Sequence, residues 1–213
     1  DSIIDMIAEK IEMDPLDFRL KNFAEVDQVF NAPYTSKKLR EAYEQGSKAI
    51  GWQRRKKVPG SDQGPIKTGI GMATQIWWGG GAPPAYATLK LNRDGSVVVL
   101  SGTQDLGTGT YTFIAQVASE VLEIPIDKIQ VILGDTATCP YAPASGGSMT
   151  APSVSPAVRD AAEQMKAKLM SGAAAVLETS EEQLVYSKGI INSKLDDKKS
   201  MPISDVVRRM RER

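Results

Sequence analysis

The stretch GTQDLGTGTYTFIAQVASEVL, residues 102–122, decides the fold of this chain. A strand-like run, SVVVL at 96–100, leads into it, and three glycines follow before the pattern turns helical. From about Thr110 to Leu122 the apolar residues recur three and four positions apart, which is typical of an amphipathic helix with one buried face. The stretch therefore predicts a strand, a glycine-rich turn and a helix in direct succession.

The segments around this stretch alternate with period two or carry helical spacing. Strands are predicted at 69–78 (GIGMATQIWW), 85–91, 96–100 and 128–135, with a hairpin turn at 92–95 and a short hairpin over 183–194. A second helix is expected from about Ser153, and Ser204 is expected to cap a last helix. This order predicts an α+β fold built on a mixed sheet with packed helices.

The first part of the chain is predicted to be helical. Ser2, Asp14 and Ser36 each stand where a helix cap is expected, and Pro15 suits the first position of the second helix. The segment 58–65, VPGSDQGP, has the composition of a linker or long loop. We therefore expect a helical N-terminal segment over 1–57 and an α+β domain over 66–213.

The composition argues against several classes of partner and of catalytic site. Among 213 residues, Lys plus Arg and Asp plus Glu are both 26, so the balanced charge gives no electrostatic reason to expect nucleic acid or an anionic membrane as a partner. No window has the roughly 18 apolar residues that a membrane span needs. With no histidine, and Cys139 as the one cysteine, the chain offers no Ser/His/Asp site and no cage for zinc or an iron–sulfur cluster.

Two glycine-rich turns each open a predicted helix. They are LGTGT at 106–110 and ASGGSMTAPS at 144–153. Helix starts leave backbone amides unpaired and carry roughly half a positive charge, and glycine lets a ligand oxygen approach them closely. Neither turn has the lysine of a phosphate loop or the full dinucleotide spacing. The pair favours an extended anionic ligand held by amides, while tight strand-to-helix packing stays open as the other interpretation.

Other side chains near these turns are weaker candidates. Gln104 and Asp105 could contact a ligand, although an aspartate at a helix start is usually a partner of the helix dipole. Trp77 and Trp78, followed by three glycines, could line an aromatic pocket or could be half-buried aromatics of a strand. None of these residues identifies a catalytic group.

At these turns the chain resembles a known family. Residues 102–136 followed by ASGGSMTAPSVSPAV are similar to the large molybdenum-binding subunit of the xanthine dehydrogenase/aldehyde oxidase family. The opening DSIIDMIAEKIEMDPLDFRLKNF, IGWQRR and GIGMA match in the same order, so the resemblance covers nearly the whole chain. The residues of the two turns, GTGTYT and GGSMT, look closest to those of the bacterial aldehyde-oxidising and isoquinoline-oxidising branches. The resemblance implies the cofactor-binding domain fold of that family.

The resemblance also implies a cofactor, the molybdenum–pyranopterin, expected here as molybdopterin cytosine dinucleotide. Carried over residue by residue, the contacts would come from both turns: Leu106, Gly107 and Thr108 from the first, and Gly147, Ser148, Met149, Thr150 and Ala151 from the second. Many family members have glutamine where this chain has Thr108, which shortens an amide contact near the metal to a hydroxyl.

The resemblance further implies what this chain lacks. The family's F-R-G-x-G type segment would precede residue 1, and the catalytic glutamate of its G-x-G-E type motif would follow residue 213. We therefore expect a middle segment of a larger subunit, inactive when isolated. The expected partners are the remainder of the subunit, iron–sulfur and FAD subunits or domains, and a small-molecule substrate, with neither nucleic acid nor membrane. The cytoplasm is favoured over the periplasm. The alternative is a non-enzymatic binding or interaction module that keeps the fold.

A structural expectation follows from the two turns. Each is predicted to follow a strand and to open a helix, so both should lie at the same edge of the sheet. Their amides should then converge on one concave site.

Overall fold

The computed structural model describes residues 1–75, 77, 79–196 and 199–210, and it divides the chain into two compact units. The first unit is Asp1–Trp77 and the second is Trp78–Arg213. No described helix is both long and apolar enough to cross a bilayer.

The first unit is mainly helical. Its elements are α1 (Ser2–Lys10), α2 (Pro15–Lys21), β1 (Val26–Asp27), β2 (Ala32–Pro33) and α3 (Leu39–Ile50). Asp14 caps α2 as predicted, since its carboxylate accepts a hydrogen bond of 2.8 Å from the Leu16 amide. The same carboxylate accepts a bond from the Trp52 indole, which ties the chain after α3 to the start of α2. Arg19 of α2 is buried and paired with Asp1 and Asp5, at 2.9 Å each.

Three sequence predictions for this unit are wrong. Asp1 rather than Ser2 stands at the N-cap of α1, and Lys38 rather than Ser36 stands at the N-cap of α3, in both cases without a side-chain hydrogen bond to the helix. In the predicted strand 69–78 the described residues form no strand, and Ile76 and Trp78 lie outside the described residues. Alternating sequence alone does not make a strand, because a strand also needs a neighbour to accept its hydrogen bonds.

The second unit holds the predicted mixed sheet. Its strands are β3 (Thr88–Leu91), β4 (Val97–Ser101) and β5 (Ile129–Leu133), in the order β3-β4-β5. β3 and β4 form the antiparallel hairpin expected from the turn at 92–95, whereas β4 and β5 are parallel and are joined through α4 (Thr110–Leu122). The predicted bounds of α4 are confirmed.

The long helix α5 (Thr150–Leu177) packs on α4 and β3 and carries much of the core. It begins three residues before the predicted start at Ser153, because Pro152 is tolerated in the first turn, where an amide would have no helical acceptor. The buried residues shared by sheet and helices include Val97, Val99, Ile114, Ala118, Leu122, Val154, Val158, Ala162 and Leu169.

A second sheet, which is antiparallel, lies near the C-terminal end of the described chain. It consists of β6 (Leu184–Ser187), β7 (Ile190–Ser193) and β8 (Ser200–Pro202), followed by α6 (Ile203–Met210). The hairpin of β6 and β7 is the one predicted over 183–194. The strand β8 was not predicted, because its three residues acquire a strand conformation only by pairing with β7. A last helix is confirmed here, but it begins at Ile203, so Ser204 is its second residue and the prediction that Ser204 caps it is wrong.

Candidate functional site

The two glycine-rich turns leave the same edge of the mixed sheet. The parallel strands β4 and β5 end side by side, with Ser101 opposite Leu133, and the chain continues from them into the first and the second turn. The Gly134 amide donates to the Ser101 carbonyl at 3.1 Å, just past the strand ends. Because parallel strands point the same way, both loops must begin on one side. The expectation of a common edge is confirmed.

The first turn is an exposed loop shaped by glycine. Gly107 and Gly109 have φ of 88° and 85°, in the left-handed region, and Gly109 is the N-cap of α4. Apart from its chain neighbours, no heavy atom of the described residues lies within 4 Å of where a Cβ would stand on either glycine. Leu106 is 68% exposed and Thr108 is also exposed, so the tip of the loop presents an apolar side chain, a hydroxyl and bare backbone to its surroundings.

The amides of the first turn are already engaged by a side chain. One carboxylate oxygen of Asp105 accepts from Gly107 at 2.8 Å and from Thr108 at 3.0 Å, and the other accepts from Tyr111 at 3.3 Å. Desolvation raises the pKa of Asp105, but these backbone amides outweigh it, and the net pKa lies below its ordinary value. Asp105 is therefore a partner of the α4 helix dipole. The amides that were expected to contact a ligand donate their hydrogen bonds to Asp105 instead.

The second turn differs in this respect. Gly147 and Ser148 both have left-handed backbone, with φ of 56° and 62°, and the chain then enters α5 with no side-chain hydrogen bond at its N-cap, Met149. Within the described part of the chain, the amides of Thr150 and Ala151 donate to no acceptor. No acidic side chain lies in the first turn of α5. This helix start keeps its positive polarisation and its donors.

Side-chain hydrogen bonds join the approaches to the two turns. The Ser145 hydroxyl donates to the Gln104 carbonyl at 2.8 Å, and the Ser145 amide donates to the Gln104 side-chain oxygen at 2.9 Å. Nearby, the Gly102 amide donates to the Pro140 carbonyl at 2.8 Å. The Gln104 side chain therefore makes hydrogen bonds within the protein, and its contact with a ligand stays a prediction. The pairing of Gln104 with Ser145, 41 residues apart, was not predicted.

The loop 79–82 is attached to the second turn. The Ala82 amide donates to the hydroxyl of buried Ser153 at 2.8 Å, and that hydroxyl donates to the Met149 carbonyl at 2.6 Å. A Cβ on Gly81 would lie 3.2 Å from the Pro152 carbonyl oxygen, so glycine suits this close approach. The proposed aromatic pocket is not tested: Trp77 is 58% exposed in the first unit, and Trp78 lies outside the described residues.

Other groups with reactive chemistry are engaged elsewhere. The Cys139 thiol contacts the Ile132 carbonyl at 3.4 Å. Glu123, at the end of α4, accepts from the Lys188 amide and from Lys166, and these bonds hold its pKa below the ordinary value. Among the described residues no group of histidine, cysteine, aspartate or glutamate side chains could hold a metal ion. The described residues of the two turns offer hydroxyls, amides and exposed glycine backbone, which are groups suited to binding.

The sequence of this chain matches an established domain family. The molybdopterin cofactor-binding domain matches residues 45–213. The xanthine dehydrogenase molybdenum-binding subunit of Escherichia coli O157:H7 is 31% identical over 90% of this chain and 26% of its own length. The aldehyde oxidoreductase molybdenum-binding subunit PaoC of E. coli K12 is 34% identical over 68% of this chain and 20% of its own length.

The fold matches solved structures as well. A Cu,Mo-CO dehydrogenase structure aligns with a TM-score of 0.66 at 25% identity, over 95% of this chain and 28% of that one. Quinoline 2-oxidoreductase from Pseudomonas putida 86 aligns with a TM-score of 0.64 at 18% identity, which shows a common fold. The chain spans about a quarter of the length of the xanthine dehydrogenase relatives it matches. The resemblance to the xanthine dehydrogenase/aldehyde oxidase family and the expected fold are confirmed.

Proposed function

Because this chain belongs to the molybdopterin cofactor-binding domain family, we propose that its two glycine-rich turns hold the molybdenum–pyranopterin cofactor. The single observation that carries the proposal is the junction of the two turns at one sheet edge, through Gln104 and Ser145. The residues there fit the group. Open space beside Gly107 and Gly109 admits a flat ring system, and exposed Leu106 gives it an apolar contact.

The two turns would bind different parts of the cofactor, because their charges differ. The first turn, with Asp105 already at its amides, repels a further anion and suits the uncharged parts of the cofactor, through Leu106, Gly107 and Thr108. The second turn suits its anionic oxygens, which would accept hydrogen bonds from the amides and hydroxyls there. Ser148, Thr150 and Ala151 would donate these bonds. Gly147 and Met149 would line the turn beside the cofactor, since the Met149 amide already donates to the Gly146 carbonyl. We assign these contacts to the α+β domain over 66–213, with 1–57 as a separate helical segment.

The protein to which this chain belongs is proposed to be an oxidoreductase that hydroxylates an aldehyde or a nitrogen heterocycle. The names of the relatives, xanthine dehydrogenase and aldehyde oxidoreductase, support this class of substrate. When bound, the cofactor supplies the redox chemistry, and this chain's residues bind and orient it. Iron–sulfur and FAD subunits or domains would accept the electrons. The chain by itself is proposed to be inactive, since no described residue is placed as a general base.

The test is the pterin and molybdenum content of protein expressed from the complete reading frame that carries this chain, in a host that makes the cofactor. Iodine oxidation followed by pterin fluorescence, with elemental analysis for molybdenum, should give near-equal amounts of both. Acid hydrolysis should release cytidine monophosphate if the cofactor is the cytosine dinucleotide, and its absence would refute that form alone.

A substitution at the second turn makes the test specific to this site. Ser148→Asp places a carboxylate beside the amides of α5, and aspartate accepts the left-handed backbone at this position better than serine does. The pterin content should fall severalfold while the fold is retained. Ser155→Asp, seven residues further along the chain and within α5, is the matched control and should keep its pterin. Wild-type protein without pterin, from a host shown to make it, would favour the non-enzymatic binding module.

A further inference from the structure

Gln104 lies between the end of β4 and the first turn, and it makes contacts in two directions. Its side-chain nitrogen donates to the Gly102 carbonyl at 2.9 Å, and its side-chain oxygen accepts from the Ser145 amide at 2.9 Å. One amide group thus holds its own strand end and the opposite loop at once. Methionine or leucine could fill the same space but would make neither bond.

The backbone of Gln104 completes the joint. Its carbonyl accepts from the Ser145 hydroxyl at 2.8 Å and from the Thr110 hydroxyl at 3.3 Å. Its amide donates to the same Ser145 oxygen at 3.3 Å. Thr110 is the first residue of α4 and is 1% exposed, so the loop between Gln104 and Thr110 is closed at its base.

The neighbourhood of this joint is closely packed. Thr103 is fully buried, with its hydroxyl 3.4 Å from that of Ser145. A Cβ on Gly102 would lie 2.5 Å from the Pro140 carbonyl oxygen, so the backbone at Gly102 is in direct contact with the backbone at Pro140. The joint therefore holds the bases of the two loops together.

We propose that Gln104 and Ser145 form a positioning pair that sets the distance between the two cofactor turns. The proposal rests on the proposed function, because a spacing matters only if one ligand touches both turns. Neither residue needs to touch the cofactor itself. Leu106 follows Gln104 by two residues and Gly147 follows Ser145 by two, so a shift at the pair carries directly to both contact surfaces. Loosening the pair should weaken the hold on the cofactor and alter the surroundings of the metal.

The test uses the full-length, pterin-loaded protein with Gln104→Met and Ser145→Ala. Each removes side-chain hydrogen bonds of the pair at nearly constant volume, and each should speed release of pterin into the filtrate by about five- to tenfold. The electron paramagnetic resonance spectrum of the Mo(V) state should change its g values. Gln116→Met and Ser155→Ala are the matched controls, since both residues lie on helices and neither side chain has a hydrogen-bond partner among the described residues.

The conservative variant separates positioning from general loss of stability. Ser145→Thr keeps the hydroxyl and should restore slow release and the wild-type spectrum. Should Gln104→Met fail to fold, Ser145→Ala carries the test alone, because it removes the hydroxyl that donates to the Gln104 carbonyl, and the same faster release and spectral change are expected. Release at the wild-type rate with an unchanged spectrum in pair variants that fold would overturn the proposal. Wild-type protein without pterin would instead overturn the proposed function, and this inference with it.

Discussion

The two glycine-rich turns look alike in sequence but differ in what holds them. Asp105 fills the first turn with a carboxylate, which accepts from Gly107, Thr108 and Tyr111. The second turn is held by the neutral hydroxyl of Ser153, which leaves the helix-start amides of α5 without an internal acceptor in the described chain. A glycine turn at a helix start is therefore not by itself an anion site. One neighbouring side chain decides whether the site is already filled.

The largest expected effect tests the backbone contact beneath both turns. Gly102→Ala would place a Cβ 2.5 Å from the Pro140 carbonyl oxygen, a backbone atom that cannot move aside cheaply. The free energy of unfolding should fall by about 3 kcal/mol, as measured by urea denaturation. Gly146→Ala is the matched control, since its Cβ would meet nothing within 4 Å and its φ is not left-handed. A loss of stability as large for Gly146→Ala would remove the distinction.

A smaller effect is expected at the support of the second turn. Ser153→Ala removes the acceptor of the part-buried Ala82 amide and the donor to the Met149 carbonyl. The free energy of unfolding should fall by about 2 kcal/mol, because a donor is left unpaired. The loss should be the same at pH 4 and pH 8, since a hydroxyl does not titrate there. A loss confined to one end of this range would show that a charged group holds this turn too.

The glycine geometry of the first turn gives the next prediction. Gly107→Ala puts an L side chain at φ 88° with open space around it, so the cost comes from backbone strain without a steric clash. Unfolding free energy should fall by about 1 kcal/mol. Equal stability of variant and wild type would mean that the loop readily leaves this conformation, and that its shape is not preset for a ligand.

The smallest effect, and the one that identifies the charge, is expected for Asp105→Asn. Asparagine keeps one acceptor oxygen and loses the negative charge beside α4, so the urea midpoint near pH 7 should fall slightly. The pKa of Asp105 is lowered in the fold from its ordinary 3.8, so its stabilising effect is present above that value. The effect disappears as the pH falls through the lower, folded-state pKa. The difference in stability between wild type and variant should therefore begin to shrink below about pH 3.8 and keep shrinking as the pH falls further; a constant difference down to pH 2 would contradict this account.

Part of the fold could be predicted because it depends on short-range rules. Glycine before Thr110 and apolar spacing after it predict α4 to the residue, and Asp14-Pro15 predicts the start of α2. The mixed sheet follows from a hairpin turn and from a helix long enough to join two parallel strands. Errors came where a partner was needed: the segment 69–75 has the alternation of a strand without a neighbour, and β8 exists only beside β7.

For the candidate site too, some features could be predicted from the sequence and others depended on the tertiary structure. The sequence alone predicted the two glycine turns, because glycine, serine and threonine next to a helix start have local consequences. The family, and the residues expected to meet a cofactor, came from the resemblance of its motifs. Only the tertiary structure decided that Gln104 reaches Ser145 across 41 residues, whereas the bonds of Asp105 to Gly107 and Thr108 are local ones. A side chain's hydrogen-bond partner is the nearest donor or acceptor in space, and packing brings that neighbour into place without any local pattern in the chain.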